Sequence, residues 1–364
     1  MFKYVTIFWK QYRPILVGAL GLIVFQVLLY LHPPFLSFYI RWLFEPFQWF
    51  RSILFNNIRW SLGDVLYCVA ILYLLFLLLK LIVCLFTFKR NKTQAAATGK
   101  RLIVFVLVIL WWFFLGWGGN YMRKPLSSQW LQTTDTLWKD TFLIPLNLYL
   151  VRVLNEAQVH QLQFDDLRAV NVKANALFQQ KYPGRVATLK VKPSLLGNNL
   201  NYFRIHGYYN PFTGEAQYND NTPAFMHPFV VLHEMAHQAG IAAEDDANLV
   251  SYVLGEESNI PTFQYSAHLN LYLYAYGQLK AQDSLMAKKI FEQLNATSKQ
   301  QWDSLRAINK QFRSPFGKWT SKLYDNYLRL QGQTKGIASY NDVCQWVYYR
   351  YFIQKTKSDL EVCP

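Results

Sequence analysis

His233-Glu234-Met235-Ala236-His237 sets two imidazoles four residues apart with a carboxylate between them. On a helix, positions i and i+4 share one face about one turn apart, so both rings can converge on a single metal ion. Zinc favours imidazole nitrogen and carboxylate oxygen, and a catalytic site keeps one position open for water. Glu234 then stands where it can take the proton of a metal-activated water and later deliver it to a leaving group, without itself being a ligand. The flanks, Phe229-Val230-Val231-Leu232 and Met235-Ala236, are apolar, which predicts a buried helix. Burying two histidines and a glutamate without partners is costly, and Zn2+ on His233 and His237 resolves that cost.

A third ligand is needed. Gly240 stops the helix, Ile241-Ala242-Ala243 makes a tight connection, and Glu244-Asp245-Asp246-Ala247-Asn248 opens the next helix with three acids near the right place. Zincins with a short His-x-x-Gly-x-x-His extension carry their third ligand at the position occupied here by Ala243, so that version is excluded. The run Glu244 to Asn248 resembles the Glu-x-x-Ala-Asp pattern of integral-membrane zinc peptidases of the CAAX-endopeptidase type. The resemblance implies Glu244 as the third ligand, with Asp245 and Asp246 as runners-up. It also implies Asn248, replacing the aspartate, as the partner of a ligand histidine. An electrophile for the oxyanion is expected too. Tyr340, after the turn Gly336-Ile337-Ala338-Ser339, is the first choice, and His206, His268 and Tyr208 are conceivable.

The elements that must position this site read as α+β, with a small sheet followed by the metal helix. Arg185 to Lys192 alternates as a strand, and Asn201 to Tyr209 and Gly214 to Tyr218 follow as two more, joined by Asn210-Pro211-Phe212-Thr213. In zincins an edge strand lines the cleft and can bind an extended peptide. The segment around Gly214 to Tyr218 is the candidate for that strand, or else a plain hairpin of the core. Helices are expected over Thr133 to Glu156, Asp165 to Gln180, Glu244 to Leu254, Gln264 to Leu279, Asp283 to Ala296, Lys299 to Gln311, Lys318 to Gln331 and Tyr340 to Gln354.

Ahead of all this stand three charge-poor runs, Ile15 to Leu31, Val65 to Phe88 and Leu102 to Gly119. Each approaches or exceeds the roughly 20 residues a membrane helix requires. The chain therefore divides into a membrane part, residues 1–119, and a mainly helical zincin-like part, residues 120–364. The N-terminus (Lys3, Lys10, Arg13) and the second loop (Lys89, Arg90, Lys92, Lys100, Arg101) are basic without acids, whereas the first loop is mixed. The positive-inside rule puts the N-terminus in the cytoplasm and everything after Gly119 outside. The formal net charge of +15 is partly this topology signal. The remaining basic residues, Arg313 and Lys318 among them, suit anionic headgroups, and no motif points to nucleic acid. Cys68 and Cys84 fall within spans, leaving Cys344 and Cys363 outside, too few for a disulfide framework.

Taken together, the three spans, Trp117 to Arg123, Thr213 to Ala216, His233 to Gly240, Glu244 to Asn248 and Gly336 to Tyr340 resemble domain-of-unknown-function family 3810, membrane proteins of Bacteroidota. The resemblance implies a bacterial inner-membrane protein with a periplasmic zincin-like domain. The expected activity is a membrane-anchored zinc endopeptidase acting in the periplasm on proteins or peptides, with the lipid bilayer as its other partner. The alternatives are a non-catalytic zinc-binding sensor or scaffold, and a zinc hydrolase of a non-peptide amide such as a cell-wall fragment.

Overall fold

A computed structural model describes residues 2–126, 142–157, 159–182, 188–331, 333, 335, 336, 338 and 342–353. The chain is mostly helical, with one small three-stranded sheet. Helix α1 (Phe2–Leu31) runs into a short helix α2 (Pro33–Phe38), a π-helical stretch (Tyr39–Phe44) and α3 (Glu45–Phe55). Helices α4 (Leu62–Phe86) and α5 (Phe88–Gly116) follow. Three stretches are long and apolar enough to cross a membrane: Tyr12–Leu31, Leu62–Phe86 and Asn91–Gly116. Their outward side chains, such as Leu20, Leu72 and Leu79, are exposed, as lipid-facing leucines must be.

The third stretch departs from expectation at both ends. The basic segment expected as a loop is helical from Asn91, because Ala95-Ala96-Ala97 and its lysines are strong helix formers. At the far end the helix stops at Gly116, and Gly118–Met122 forms a 3-10 turn. A Cβ on Gly119 would lie 2.5 Å from the Tyr39 ring, so the chain can turn there only as glycine.

The globular part builds on α6 (Leu143–Glu156), α7 (Leu167–Lys181), α8 (His227–Gln238), α9 (Glu244–Glu256) and α10 (Pro261–Gln282), with α11 (Ser284–Phe291), α12 (Ala296–Gln311), α13 (Pro315–Leu330) and α14 (Asp342–Tyr348) outside them. Leu146, Leu150, Val231, Leu249, Val250 and Tyr272 interlock at the centre. The helix expected over Asp283 to Ala296 stops earlier, at Phe291, and the next begins earlier, at Ala296, since Asp283 caps α11 and Asn295 caps α12 by accepting from the amide three residues on.

The strands are shorter than expected: β1 (Val191–Pro193), β2 (Gly207–Tyr209) and β3 (Ala216–Tyr218). Residues 185–187, the start of the first expected strand, lie outside the described residues. The first half of the second expected strand instead coils as a 3-10 helix, Gly197–Phe203, ended by a left-handed Arg204 (φ 58°). The order is β1-β3-β2, with β1 parallel and β2 antiparallel to β3. The segment expected at the edge, Gly214 to Tyr218, therefore supplies the central strand, paired on both sides, and β2 is an edge.

The sheet is stitched to the spans by buried polar groups. Glu215 accepts from the backbone amide of Gly63 (2.6 Å) in the first turn of α4, where the helix dipole favours an anion. Its other oxygen pairs with Lys192 at 2.5 Å, both side chains being essentially inaccessible to water. Lys192 also donates to the carbonyls of Phe55 and Trp60. Asp64 of α4 accepts from Ser194, Tyr208 and the amide of Leu195. Arg51 of α3, 2% exposed, donates to the carbonyls of Pro211 and Gly116, the latter at the C-terminal end of α5.

Removing one partner of a buried ion pair strands the other. Glu215→Ala is expected to lower stability by about 3–5 kcal/mol. The check is the thermal unfolding midpoint of the full chain in nanodiscs. The double variant Glu215→Leu with Lys192→Met should recover part of the loss.

Candidate metal centre

Pro228 occupies the first turn of α8, where its missing amide costs nothing, and every residue from Pro228 to Gln238 is buried. The helix ends in a Schellman-type closure: the Ile241 amide donates to the Ala236 carbonyl (3.1 Å), with Gly240 at φ 90°. A Cβ on Gly240 would lie 2.6 Å from the Phe44 ring, a second reason for glycine. The same turn brings the Ile241 carbonyl back to accept from His237 Nδ1 at 2.7 Å, which fixes the tautomer and leaves Nε2 free to bind a cation. Ala243 then precedes α9, and Glu244 is its first helical residue.

His237 Nε2 and His233 Nε2 are 3.1 Å apart, and Glu244 Oε2 lies 3.2 Å from His233 Nε2 and 3.5 Å from His237 Nε2. Ligands about 2.0 Å from a tetrahedral zinc ion are about 3.3 Å from one another, so the three atoms form one face of such a site. Among the described residues this is the one group of three or more His, Cys, Asp or Glu close enough to share an ion. The donor set, two imidazoles and a carboxylate, suits zinc. The other two acids are turned elsewhere. Both Asp246 oxygens accept from the Leu126 amide (3.0 and 3.1 Å), and Asp245 is raised to about 6, first by burial and further by the nearby Asp342.

His233, His237 and Glu244 are shifted in different directions. Burial lowers the pKa of His233, and it would lower that of His237 as well. The Glu244 charge and hydrogen bond outweigh burial at His237 and raise it to about 9. Glu244 falls well below the usual carboxylate range: burial acts upward, but the imidazoles reverse it. Asn248, one turn into α9, lies close enough to His233 and Tyr274 to act on both, favouring the charged imidazole and the ionised phenol.

Glu234 is 3% exposed and its Oε2 has no hydrogen-bond partner among the described residues. Burial pushes it up to about 8, with the His237 charge opposing. Strand β2 passes directly beside it: a Cβ on Gly207 would lie 2.5 Å from Glu234 Oε1. Only glycine allows that approach.

Several neighbours were not legible as site residues. The Tyr324 hydroxyl, from α13, donates to Glu244 Oε1 at 2.7 Å, leaving Oε2 for the histidines. Tyr324 stacks on Tyr327, whose hydroxyl lies 3.3 Å from that of Tyr121. Trp117, at the end of α5, meets the His237 ring edge-on at 6.2 Å, and Phe229 stacks over His233. Tyr324 and Tyr327 could have been suspected only from α13 being strongly amphipathic; tyrosine is otherwise too abundant in this chain to single out. Tyr340 lies outside the described residues. Tyr208 is committed to Asp64 and Ser194, His206 faces the Thr222 hydroxyl at 3.3 Å, and His268 packs between the rings of Tyr149 and Tyr252. Cys344 is buried in α14 with its thiol free, and Cys363 lies outside the described residues.

Glu244→Ala should weaken zinc binding at least a hundredfold, and Tyr324→Phe, which only frees the carboxylate to turn, about tenfold. Asp246→Ala should leave zinc affinity within a few-fold and lower stability instead. Competition with a chromophoric chelator reads the first two, and thermal unfolding reads the third.

No curated protein and no solved structure matches the chain. The family model described as Protein of unknown function (DUF3810) matches residues 39–348. That match begins just beyond the first span, takes in His233, His237 and Glu244 and runs into α14, so the chain belongs to the DUF3810 family.

Proposed function

We propose that the protein is a membrane-anchored zinc-dependent metallopeptidase with a zincin-like domain, hydrolysing protein or peptide bonds with Glu234 as general base. The observation that carries this reading is Glu234 itself. A purely structural zinc site has no use for a further buried carboxylate close to His237 and Glu244, with one oxygen lacking a partner among the described residues. Zinc, when bound, supplies Lewis acidity that acidifies a water and polarises a carbonyl.

The chain's own residues do the rest. His233, His237 and Glu244 offer three ligand atoms on one face. Glu234, held near neutrality by burial, takes the proton of the attacking water and returns it to the departing amine. Strand β2 supplies the edge against which an extended substrate can lie. His206 and Asn210 hydrogen-bond to β3, so by antiparallel alternation the backbone groups of Gly207 and Tyr209 face away from it. Tyr324 keeps Glu244 in its ligand orientation. The asymmetry of basic loops further supports a bacterial inner-membrane protein with a cytoplasmic N-terminus and this domain in the periplasm.

The test uses the full chain in nanodiscs with a peptide library. Glu234→Gln should keep stoichiometric zinc and lose about a hundredfold or more in kcat. Gly207→Val should also keep zinc but lower kcat at least tenfold by displacing Glu234. Turnover unchanged in Glu234→Gln, or absent from the zinc-loaded wild type on every substrate, would sink the peptidase reading and leave a binding domain.

A further inference from the structure

The segment between the first two spans is inside out. In α3 the polar residues Gln48, Arg51 and Ser52 are buried against the protein, and Asn56 after it is buried too. The large apolar residues face outward: Trp49 is 59% exposed, with Phe50, Ile53 and Leu54 beside it. Trp42 before the helix and Trp60 after it are exposed as well, at 69% and 65%. A helix facing water would show the opposite pattern. A patch of this size on a soluble surface would be an aggregation liability.

The level of this segment in the molecule is fixed by covalent and hydrogen-bonded ties. α2 starts two residues after α1 ends at Leu31, Ser61 caps the start of α4, and Arg51 binds the Gly116 carbonyl where α5 ends. All three are the ends of apolar spans on the same side, so the outward face of α3 is continuous with their lipid-facing surface. Tryptophan favours the bilayer interface, and the exposed Arg41 and Arg59 sit at either end of the segment, where headgroup phosphates would lie.

We propose that residues 42–60 form a fourth, in-plane membrane element, with Trp42, Trp49, Phe50, Ile53, Leu54 and Trp60 embedded in the lipid of the interface. Phe44, from the same segment, touches Gly240, so this element also holds the metal loop at the bilayer surface.

Nitroxides at positions 49 and 53, in a background without native cysteines and reconstituted in nanodiscs, test it by accessibility to oxygen and to a nickel chelate. Leu79 on α4 serves as the lipid reference and Lys288 on α11 as the water reference. Positions 49 and 53 should match Leu79, with high oxygen and low nickel accessibility. Nickel accessibility like that of Lys288 would overturn the proposal in favour of a solvated face. Protection from both reagents would overturn it in favour of a second copy of the chain or another protein. The unsubstituted chain provides an independent check: a lipid bearing a diazirine on its acyl chain should leave adducts on 42–60 as well as on the spans. Adducts on the spans alone would also overturn it.

Discussion

The carbonyl of Gly214 is the point through which membrane, sheet and metal helix are joined. It accepts from Gln48 of α3 (3.1 Å) and from Gln238 at the end of α8 (3.2 Å), while Gly214 itself takes the left-handed turn into β3 (φ 70°). One residue later Glu215 reaches the first turn of α4 and Lys192 of β1. Ions buried this deeply contribute little net stability, because desolvation offsets most of their attraction. What they supply is geometry. Each carbonyl, amide and charge in the seam has a partner only in one arrangement of spans against sheet, so alternatives leave buried polar groups without hydrogen bonds.

The metal centre inherits that rigidity. His237 is oriented by the Ile241 carbonyl and by the edge of Trp117, Glu244 by Tyr324, and Glu234 by the approach of Gly207. Two imidazole nitrogens 3.1 Å apart against one carboxylate cannot all be satisfied by a single shared proton. A divalent cation at their common centre would satisfy all three at once, which is the ground for the proposed metal site. Trp117, Phe229, Tyr324 and Tyr327 flank the site, and Tyr324 offers its hydroxyl to a Glu244 oxygen.

Local chemistry made much of this legible in the sequence. The i, i+4 histidines, the glycine stop and the acidic helix start are encoded within a dozen or so consecutive residues, and the three spans announce themselves by hydropathy alone. Short strands were less readable. Three residues of strand give almost no alternation to detect, so the 3-10 helix of Gly197–Phe203 and the central position of β3 were missed. Tyr324 and Gly207 were invisible for a different reason. Each reaches the site from a distant segment, and nothing local to either marks the contact. The same holds for Arg51 and Lys192, which look like surface charges until the fold buries them.

The seam also constrains topology independently of any count of basic residues. Residues 48–64 and 188–215 hydrogen-bond directly to one another, so they must lie on the same side of a bilayer. The first group follows one span and the second follows three, and an even number of crossings separates them. Were only one of α4 and α5 to cross, these partners would be divided by the membrane: the Glu215–Lys192 pair would lose the Gly63 amide and the Phe55 carbonyl, and Arg51 the Pro211 carbonyl. Hydropathy proposes that both helices cross; the buried charges require that they do so together or not at all.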